Sequence, residues 1–207
     1  MQNFAKVTTT TTDTVTGIFD SNAALFTFNP KEITVDNEDP GFRIIESNQK
    51  NKLQSFFKKE SEDKYKNLNF WMPPSKWTAT IGVNYYGDYI NSAVYKKSGS
   101  GSNKTEWTTQ IQIPGFYEVF VYTSELPMMG WRRRGSEEKK MQYYTVKHDD
   151  GEEEISVETG RGRQGWMTLG SFYFSAGEAK ITLSDKGSES NQIIFADAVK
   201  WVYTNNN

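Results

Sequence analysis

Short runs of alternating apolar and polar residues, each ended by turn residues, recur along most of the chain and constrain its fold more than any other feature. In residues 105–123, TEWTTQIQIPGFYEVFVYT, the apolar Trp107, Ile111 and Ile113 fall on one face of a period-two repeat and polar residues fall on the other. The Pro114–Gly115 pair interrupts the repeat before a second alternating run begins. This pattern predicts two half-buried β-strands joined as a hairpin.

A second hairpin is predicted farther along the chain, in residues 143–159. Asp150 and Gly151 supply a tight turn there between two alternating runs. Further strands are predicted in WMTLGSFYF, AKITLSD and IIFADAVKWVY, and no segment has the pattern of a long helix. Roughly eight or nine strands at hairpin spacing predict an all-β fold, an antiparallel β-sandwich of the jelly-roll type.

One domain with an N-terminal leader is the organisation that the length of 207 residues favours. Residues 1–29 contain a threonine tract and few apolar residues, which is typical of a linker or of the tail of an upstream unit. The sandwich domain is therefore expected to span residues 30–207. Within it, the charge-dense residues 46–69 are expected to form a loop with one helical turn, and residues 124–142 a second long loop.

Composition and charge exclude several classes of function. Hydrophobic residues make up only 36% of the chain, but aromatic residues reach 14%, so a few large rings can build the core. The formal net charge of −2 comes from mixed signs, so no overall field attracts nucleic acid or an anionic membrane. The absence of cysteine excludes disulfides, thiolate metal sites and a cysteine nucleophile. No apolar run approaches the length of about 18 residues that a transmembrane helix needs, so membrane insertion is not expected.

Six segments, in this order, resemble the golvesin C-terminal-like domain, which is also described as a xanthan-lyase-type carbohydrate-binding domain. They are ITVDNEDPGF, YYGDY, TEWTTQIQIPGFYEVFVY, YYTVKHDDG, GWMTLGSFYFSAG and IIFADAVKW. The resemblance covers residues 31–203 and implies a galactose-binding-like jelly roll. This chain departs from the family pattern by long loop insertions between Phe42 and Trp77 and at residues 124–142.

The resemblance implies a non-catalytic accessory module of a larger secreted or cell-surface protein, often from Bacteroidetes, located outside the cell, on its surface or in the periplasm. A polysaccharide or another glycan is the implied partner, together with neighbouring domains of the same longer chain. One alternative is a structural or adhesive protein-interaction domain that spaces or stabilises neighbouring domains. Another is a polysaccharide lyase or hydrolase, which no residue spacing favours.

The sequence offers few residues for catalysis. His148 is the only histidine, and it is expected as a hydrogen-bonded structural residue at a strand end beside a two-residue turn. The acids in Glu137–Glu138 and Asp149–Asp150 are adjacent, whereas glycoside hydrolysis needs two carboxyl groups about 5 to 10 Å apart across a cleft. These patterns predict a domain that is not an enzyme.

A tryptophan in a polar loop is the first candidate for ligand binding. Trp131 lies in PMMGWRRRGSEEKK, directly before Arg132, Arg133 and Arg134. A ring beside guanidinium donors suits a ligand or a partner surface. The alternative for Trp131 is a loop anchor that folds back on the sandwich.

A second candidate lies in NFWMPPSKW and VNYYGDYI, which hold more rings than short strands can bury on one face. Trp71 and Tyr86 are expected to line a surface or groove, with Tyr86 near a loop tip beside the Gly87–Asp88 turn, whereas Tyr89 is expected in the core. The residues Trp107, Trp166 and Trp201 alternate with the apolar faces of strands and are also expected in the core.

Asp36 and Asp197 are expected in the first and last strands, TVDNE and FADAV. These two strands often lie side by side in jelly rolls of this kind. Asp197 stands between two alanines, so its carboxylate is expected to be partly buried and hydrogen-bonded. One interpretation is a structural Ca²⁺ held by Asp36, Glu38 or Asp39 together with Asp197 and backbone carbonyls. The alternative is a carboxylate that accepts backbone N–H bonds from a neighbouring turn, with no cofactor.

Overall fold

The fold is seen in a computed structural model. It describes residues 31–47, 64–124, 139–160 and 162–204 in full, and the backbone alone of residues 7–9, 15–19 and 24–28. All the regular secondary structure named in these ranges is β-strand. The described residues contain no helix that is long and apolar enough to cross a membrane.

The described residues form fifteen strands. They are β1 (Val7–Thr9), β2 (Val15–Phe19), β3 (Ala24–Phe28), β4 (Glu32–Val35), β5 (Phe42–Ile45), β6 (Thr78–Ile81), β7 (Ser92–Lys97), β8 (Lys104–Ile111), β9 (Gly115–Thr123), β10 (Lys140–His148), β11 (Gly151–Thr159), β12 (Gly165–Phe174), β13 (Gly177–Gly187), β14 (Ile193–Ala196) and β15 (Val199–Thr204). The first three form an antiparallel sheet of their own. The domain boundary at residue 30 stays a prediction.

Two antiparallel sheets share one hydrophobic core. Their strand orders are β11-β10-β13-β8-β5 and β12-β9-β15-β4. Trp107 and Ile181 from the first sheet and Val119 and Trp201 from the second are fully buried in the same cluster. The all-β sandwich predicted from the sequence is therefore confirmed, with more strands than the eight or nine expected.

A third sheet, with the strand order β14-β7-β6, carries a smaller core. Tyr85, Ala93, Tyr95 and Phe195 form this second cluster, and the rings of Tyr95 and Phe195 stack with centroids 5.9 Å apart. The cluster anchors the start of the β6–β7 loop through Tyr85. That loop forms one wall of the candidate site described below.

The hairpin predicted in residues 105–123 is wrong. β8 pairs with β13 and β5, whereas β9 pairs with β12 and β15, so the two strands lie in different sheets. Residues 112–114 carry the chain from one sheet to the other. Trp107 on β8 and Tyr117 on β9 are both buried in the shared core, and the period-two pattern is the same for either kind of connection.

The second predicted hairpin is confirmed. β10 and β11 pair over their whole length, with Asp149–Asp150 as the two-residue turn, one residue earlier than the predicted Asp150–Gly151. Gly151, directly after the turn, has a φ of 132°, which side-chain-bearing residues rarely adopt. His148 ends β10 and accepts a hydrogen bond at Nδ1 from the Asp150 backbone N–H (3.3 Å), as expected of a structural histidine.

The last strand predicted from the sequence is divided in two. β14 ends at Ala196 and β15 begins at Val199, and the two strands belong to different sheets. Asp197 therefore lies between two strands, and Asp36 directly follows β4. The prediction that both acids lie inside strands is wrong. β4 and β15 do pair, with Val35 opposite Val199, which confirms that the first and last strands of the sandwich are neighbours.

The three strand tryptophans do not share one environment. Trp107 and Trp201 are buried in the core, as predicted. Trp107 also donates a hydrogen bond from Nε1 to the backbone oxygen of Asp197 (3.1 Å). Trp166 is only half-buried and packs against Tyr122 (centroids 5.3 Å apart), so its predicted place in the core is wrong. Its strand register places it on the outer face of the sheet, because alternate residues of a strand face opposite sides.

Candidate functional site

A cavity of about 330 Å³ opens between the end of β4 and the loop that joins β6 to β7. Its lining residues are Thr34, Asp36, Glu38, Asp39, Tyr86, Asp88, Tyr89 and Ile90. Half of these residues are acids and two are tyrosines. The cavity therefore offers hydrogen-bond acceptors together with aromatic rings.

A tight turn after β4 builds the acidic wall of the cavity. The Asp36 backbone N–H donates to Asp39 Oδ2 (2.8 Å), and the Asp39 N–H donates back to the Asp36 carbonyl oxygen (3.1 Å). The Asn37 N–H donates to Asp36 Oδ1 (2.7 Å). Asp and Asn favour such turns because their short side chains bond to nearby backbone groups. The segment DNED thus brings three carboxyl groups to one wall.

The opposite wall is a loop of residues 82–91 that is closed by its own hydrogen bonds. The Gly82 N–H donates to the Asn91 carbonyl oxygen (3.0 Å), which continues the pairing of β6 with β7. Asn91 Nδ2 donates to the carbonyl oxygen of Tyr85 (2.8 Å). The Tyr85 ring is buried in the small core, so the loop is held at both ends.

A glycine sets the tip of this loop. Gly87 has a φ of 150°, and a Cβ at this position would collide with the carbonyl oxygen of Ile90. The tip presents Asp88 and Tyr89, both exposed, at the rim of the cavity. Tyr89 is 99% exposed, so the sequence-based prediction that it lies in the core is wrong. The ring of Tyr85 lies in the small core instead.

Glu38 is the most firmly held of the lining acids. Its Oε1 accepts hydrogen bonds from Ser92 Oγ (2.7 Å) and Tyr65 Oη (3.1 Å), and its Oε2 forms an ion pair with Lys64. Burial alone would raise the pKa of Glu38, but the hydrogen bonds from Lys64, Ser92 and Tyr65 outweigh it and leave the pKa below its usual value. Glu38 is therefore ionised and fixed in position.

Asp36 has the opposite electrostatic environment. Its side chain is only 7% exposed, and burial raises its pKa from 3.8 to about 7. The hydrogen bond from the Asn37 backbone lowers the pKa, whereas the charges of Asp39, Glu38 and Asp88 raise it. Asp36 therefore changes charge near neutral pH.

Asp197 lies close to Asp36, near enough for the Asp36 charge to act on it. Burial raises the pKa of Asp197 well above its usual range, and the Asp36 charge raises it further. Its Oδ2 accepts hydrogen bonds from the Tyr86 backbone N–H (3.2 Å) and from Ser124 Oγ (3.1 Å), which offset part of the rise. Its Oδ1 is buried without a partner in the described part of the chain. The backbone bond to Oδ2 agrees with the sequence-based alternative to calcium.

Tyr86 connects the cavity with an aromatic cluster on the outer face of the four-stranded sheet. Its ring packs edge-on against Trp166 (centroids 5.1 Å apart) and lies 5.7 Å from the ring of Tyr122. Lys200 Nζ lies over the Trp166 ring, 4.6 Å from its centroid, and over the Phe120 ring. These contacts fix the Tyr86 ring, which is half-buried at the cavity wall.

The other residues proposed from the sequence do not join this site. Trp71 is 74% exposed, as predicted, but it lies in the loop before β6 and is not among the residues that line the cavity. The candidates Trp131, Arg132, Arg133 and Arg134 lie outside the described residues, so their role stays a prediction.

Asp88 and Tyr89 line the cavity but were not predicted from the sequence as binding residues. The signal that could have found them is the Gly-Asp turn within YYGDY, because a turn tip exposes the side chains that follow it. The sequence predicts Asp39 only as a possible metal ligand. Among the described residues no group of three or more His, Cys, Asp or Glu side chains could hold a metal ion, so the calcium site at Asp36 and Asp197 gains no support and stays a prediction.

The chain resembles known proteins at the level of family and of structure. Residues 64–203 match the model of the Golvesin C-terminal domain, whereas no curated protein matches the chain. A xanthan lyase of Paenibacillus is similar in structure, with a TM-score of 0.58 and 20% sequence identity. The similarity covers 88% of this chain but only 14% of the xanthan lyase, so this chain spans a small part of that enzyme's length.

Two further structures are more distant. A mannanase of Podospora anserina has a TM-score of 0.41 and 13% identity over 64% of this chain and 26% of that one. Xylanase 10B modules of Clostridium thermocellum have a TM-score of 0.34 and 17% identity over 64% of this chain and 25% of that one. The family match takes in the strands from β6 to β15 and the whole β6–β7 wall of the cavity, and it covers well over half of the sequence. The chain therefore belongs to the Golvesin C-terminal domain family.

Proposed function

We propose that this chain is a non-catalytic accessory module of a larger extracellular or cell-surface protein, and that it binds a polysaccharide at the acidic cavity. The observation that carries the proposal is the fully exposed Tyr89 ring at the rim of a cavity lined by carboxylates. A large exposed ring held on a turn of fixed geometry has no role in the core. It is available to a ligand.

The chemistry of the cavity suits a sugar. An aromatic ring packs on the apolar C–H face of a pyranose, and carboxylates accept hydrogen bonds from its hydroxyl groups. Tyr89 offers the ring, and the exposed Asp39 and Asp88 offer acceptors on the two sides of the opening. A volume of about 330 Å³ is large enough for one sugar unit of a longer chain and lies at the lower end of the usual range for ligand sites.

The family and the structural neighbours support an accessory role. The neighbours are carbohydrate-active enzymes or modules of them, and this chain is similar to a small part of each. An accessory module that holds an enzyme on its polymer needs affinity but no reacting group. The loop with Trp131 and Arg132–Arg134 is proposed as a second contact for the same polymer.

Binding is tested with an array of plant, microbial and host polysaccharides. The wild-type chain is compared with Tyr89→Ala and with Val83→Ala, a matched control because Val83 is 94% exposed in the same loop but does not line the cavity. We expect binding that Tyr89→Ala abolishes and Val83→Ala leaves intact. Binding that survives in Tyr89→Ala would refute the cavity as the site.

Two further results would refute the function itself. If the wild-type chain binds no polysaccharide, a structural or adhesive role between neighbouring domains becomes the better account. If the array polymers are shortened during incubation, the domain is catalytic. The raised pKa of Asp36 makes the second assay necessary, because glycosidases use a carboxyl group of this kind as a general acid. Release of reducing ends measures it directly.

A further inference from the structure

We infer that the cavity selects glycans whose sugar units carry a protonated amine over glycans that carry carboxylates. This inference rests on the proposed function, because it names the substrate class of the same cavity. Three features of the described residues support it: the charge of the lining, a largely buried carboxyl group with one oxygen that accepts no hydrogen bond from the described residues, and the position of the tyrosine rings.

The lining carries acids and no base. Asp36, Glu38, Asp39 and Asp88 all contribute to it, and no lysine, arginine or histidine is among the lining residues. Glu38 is neutralised by its ion pair with Lys64, which lies outside the lining. The exposed Asp39 and Asp88 remain at the opening, so the mouth of the cavity repels an anionic sugar and attracts a cation.

The second feature is a largely buried carboxyl group at the cavity wall, that of Asp36. Asp36 lines the cavity although its side chain is more than nine-tenths buried. Its Oδ1 accepts the Asn37 N–H, whereas no hydrogen bond within the described part of the chain uses its Oδ2. This second oxygen belongs to a residue that lines the cavity, so a group that enters the cavity can donate a hydrogen bond to it. A ligand ammonium group supplies three donors, and its positive charge favours the ionised form of Asp36, which in the free domain is largely protonated at about pH 6 because burial raises its pKa to about 7.

The tyrosine rings complete the environment of a cation. Tyr86 is held at the cavity wall by its packing against Trp166 and Tyr122, and Tyr89 stands at the rim. Ring faces attract ammonium groups as well as the C–H face of a sugar. A glucosamine unit presents both groups, and its N-acetylated counterpart lacks only the charge.

The test compares oligosaccharides of one length by isothermal titration calorimetry with the intact chain. The probes are glucosamine oligomers, their N-acetylated counterparts, cello-oligosaccharides and galacturonate oligomers, at low salt and about pH 6, where an amine is protonated. We expect the glucosamine oligomer to bind about tenfold more tightly than the N-acetylated one, the difference between a charged and a neutral hydrogen bond. Galacturonate is expected to bind least.

Two variants with the same change in net charge locate the effect. Asp88→Asn removes a carboxylate from the rim, and it should reduce the preference for the amine about threefold. Glu178→Gln removes an exposed carboxylate on β13 that does not line the cavity, and it should leave the preference unchanged. Raising the salt concentration should also reduce the preference.

The outcomes separate this inference from the proposed function. Equal or tighter binding of N-acetylated or galacturonate oligomers would overturn the inference while sugar binding stands. An amine preference that is the same in Asp88→Asn, Glu178→Gln and the wild-type chain would remove the cavity as its source and overturn the inference too. Binding of none of the four oligomers, together with none on the polysaccharide array, would overturn both.

Discussion

Asparagine in place of Asp36 should flatten the dependence of stability on pH. The folded-state pKa of about 7 lies above the ordinary value of 3.8, so the native state binds this proton more tightly than the unfolded chain does. The stability from this proton is complete below about pH 4 and is lost as the pH rises through 7. The wild-type protein should therefore become less stable as the pH rises from about 4 to about 7. Asp36→Asn lacks the proton that titrates, so its stability should not show this decrease.

The size of the effect follows from the pKa. A rise of about three pKa units, at ~1.4 kcal/mol each, corresponds to ~4 kcal/mol at high pH. Because the cavity opens to solvent, water screens the charge, and about half of this value is expected. The amide oxygen of asparagine can still accept the Asn37 N–H, so the turn after β4 keeps its hydrogen bond. At about pH 8, Asp36→Asn should thus be more stable than wild type by ~2 kcal/mol.

Urea unfolding at steps of about one pH unit from 4 to 8, monitored by tryptophan fluorescence, measures the effect. Trp107 and Trp201 are buried in the core, so their emission reports the loss of the sandwich. The expected result is a difference near zero at pH 4 that grows steadily above pH 5. Equal slopes of stability against pH in the two proteins would refute the assignment of the raised pKa to Asp36.

The matched control is Glu38→Gln, because the pKa of Glu38 is shifted in the opposite direction. Its folded-state pKa lies below the ordinary value, so its stability is present at neutral pH and is lost as the pH falls through that folded value. Glu38→Gln should therefore be less stable than wild type at pH 7 and should approach it in acid. Changes of the same sign in Asp36→Asn and Glu38→Gln would contradict the electrostatic description of the cavity.

Four other predictions concern the rest of the domain. Lys96→Met leaves Asp185 buried without its ion-pair partner and should lower the free energy of unfolding by ~3 kcal/mol, measured by urea unfolding; an unchanged midpoint would show that the pair contributes nothing. Gly87→Ala should distort the loop tip and weaken glycan binding more than tenfold with a stability loss of about 1 to 3 kcal/mol, and normal affinity would show that the tip geometry is unimportant. Trp131→Ala should reduce affinity for the same polysaccharide without changing stability, and unaltered affinity would limit the site to the cavity. If the calcium interpretation of Asp36 and Asp197 holds, calcium should raise the thermal midpoint and EDTA should lower it, and an unchanged midpoint would favour the alternative of a hydrogen-bonded carboxylate.

The sequence determined the strand pattern better than it determined the connections. The β10–β11 hairpin was predictable because Asp149–Asp150 is a short turn, which allows only a return along the same sheet. The connection from β8 to β9 was not, because alternation reports which face is buried but not which sheet a strand joins. Pro114 interrupts pairing in both geometries and therefore does not distinguish them.

The candidate site was predictable only in parts. The burial of Asp197 followed from its two alanine neighbours, and the surface position of Tyr86 from the Gly87–Asp88 turn. The exposure of Tyr89 did not follow, because a tyrosine two residues past a turn fits a strand as well as a rim. The proximity of Asp36 to Asp88 depends on two turns that are far apart in sequence, and no local pattern encodes it.

The raised pKa values of Asp36 and Asp197 connect stability with function. The charged form of a buried carboxyl group destabilises the native state at neutral pH, and asparagine would fit the turn after β4 without that penalty. Residues that lower stability in this way are found most often where a ligand uses them. A ligand that donates to Asp36 Oδ2 removes the penalty on binding, so the same carboxylate that weakens the free domain strengthens the complex. Asp36→Asn should therefore gain stability and lose affinity together, which a purely structural acid would not do.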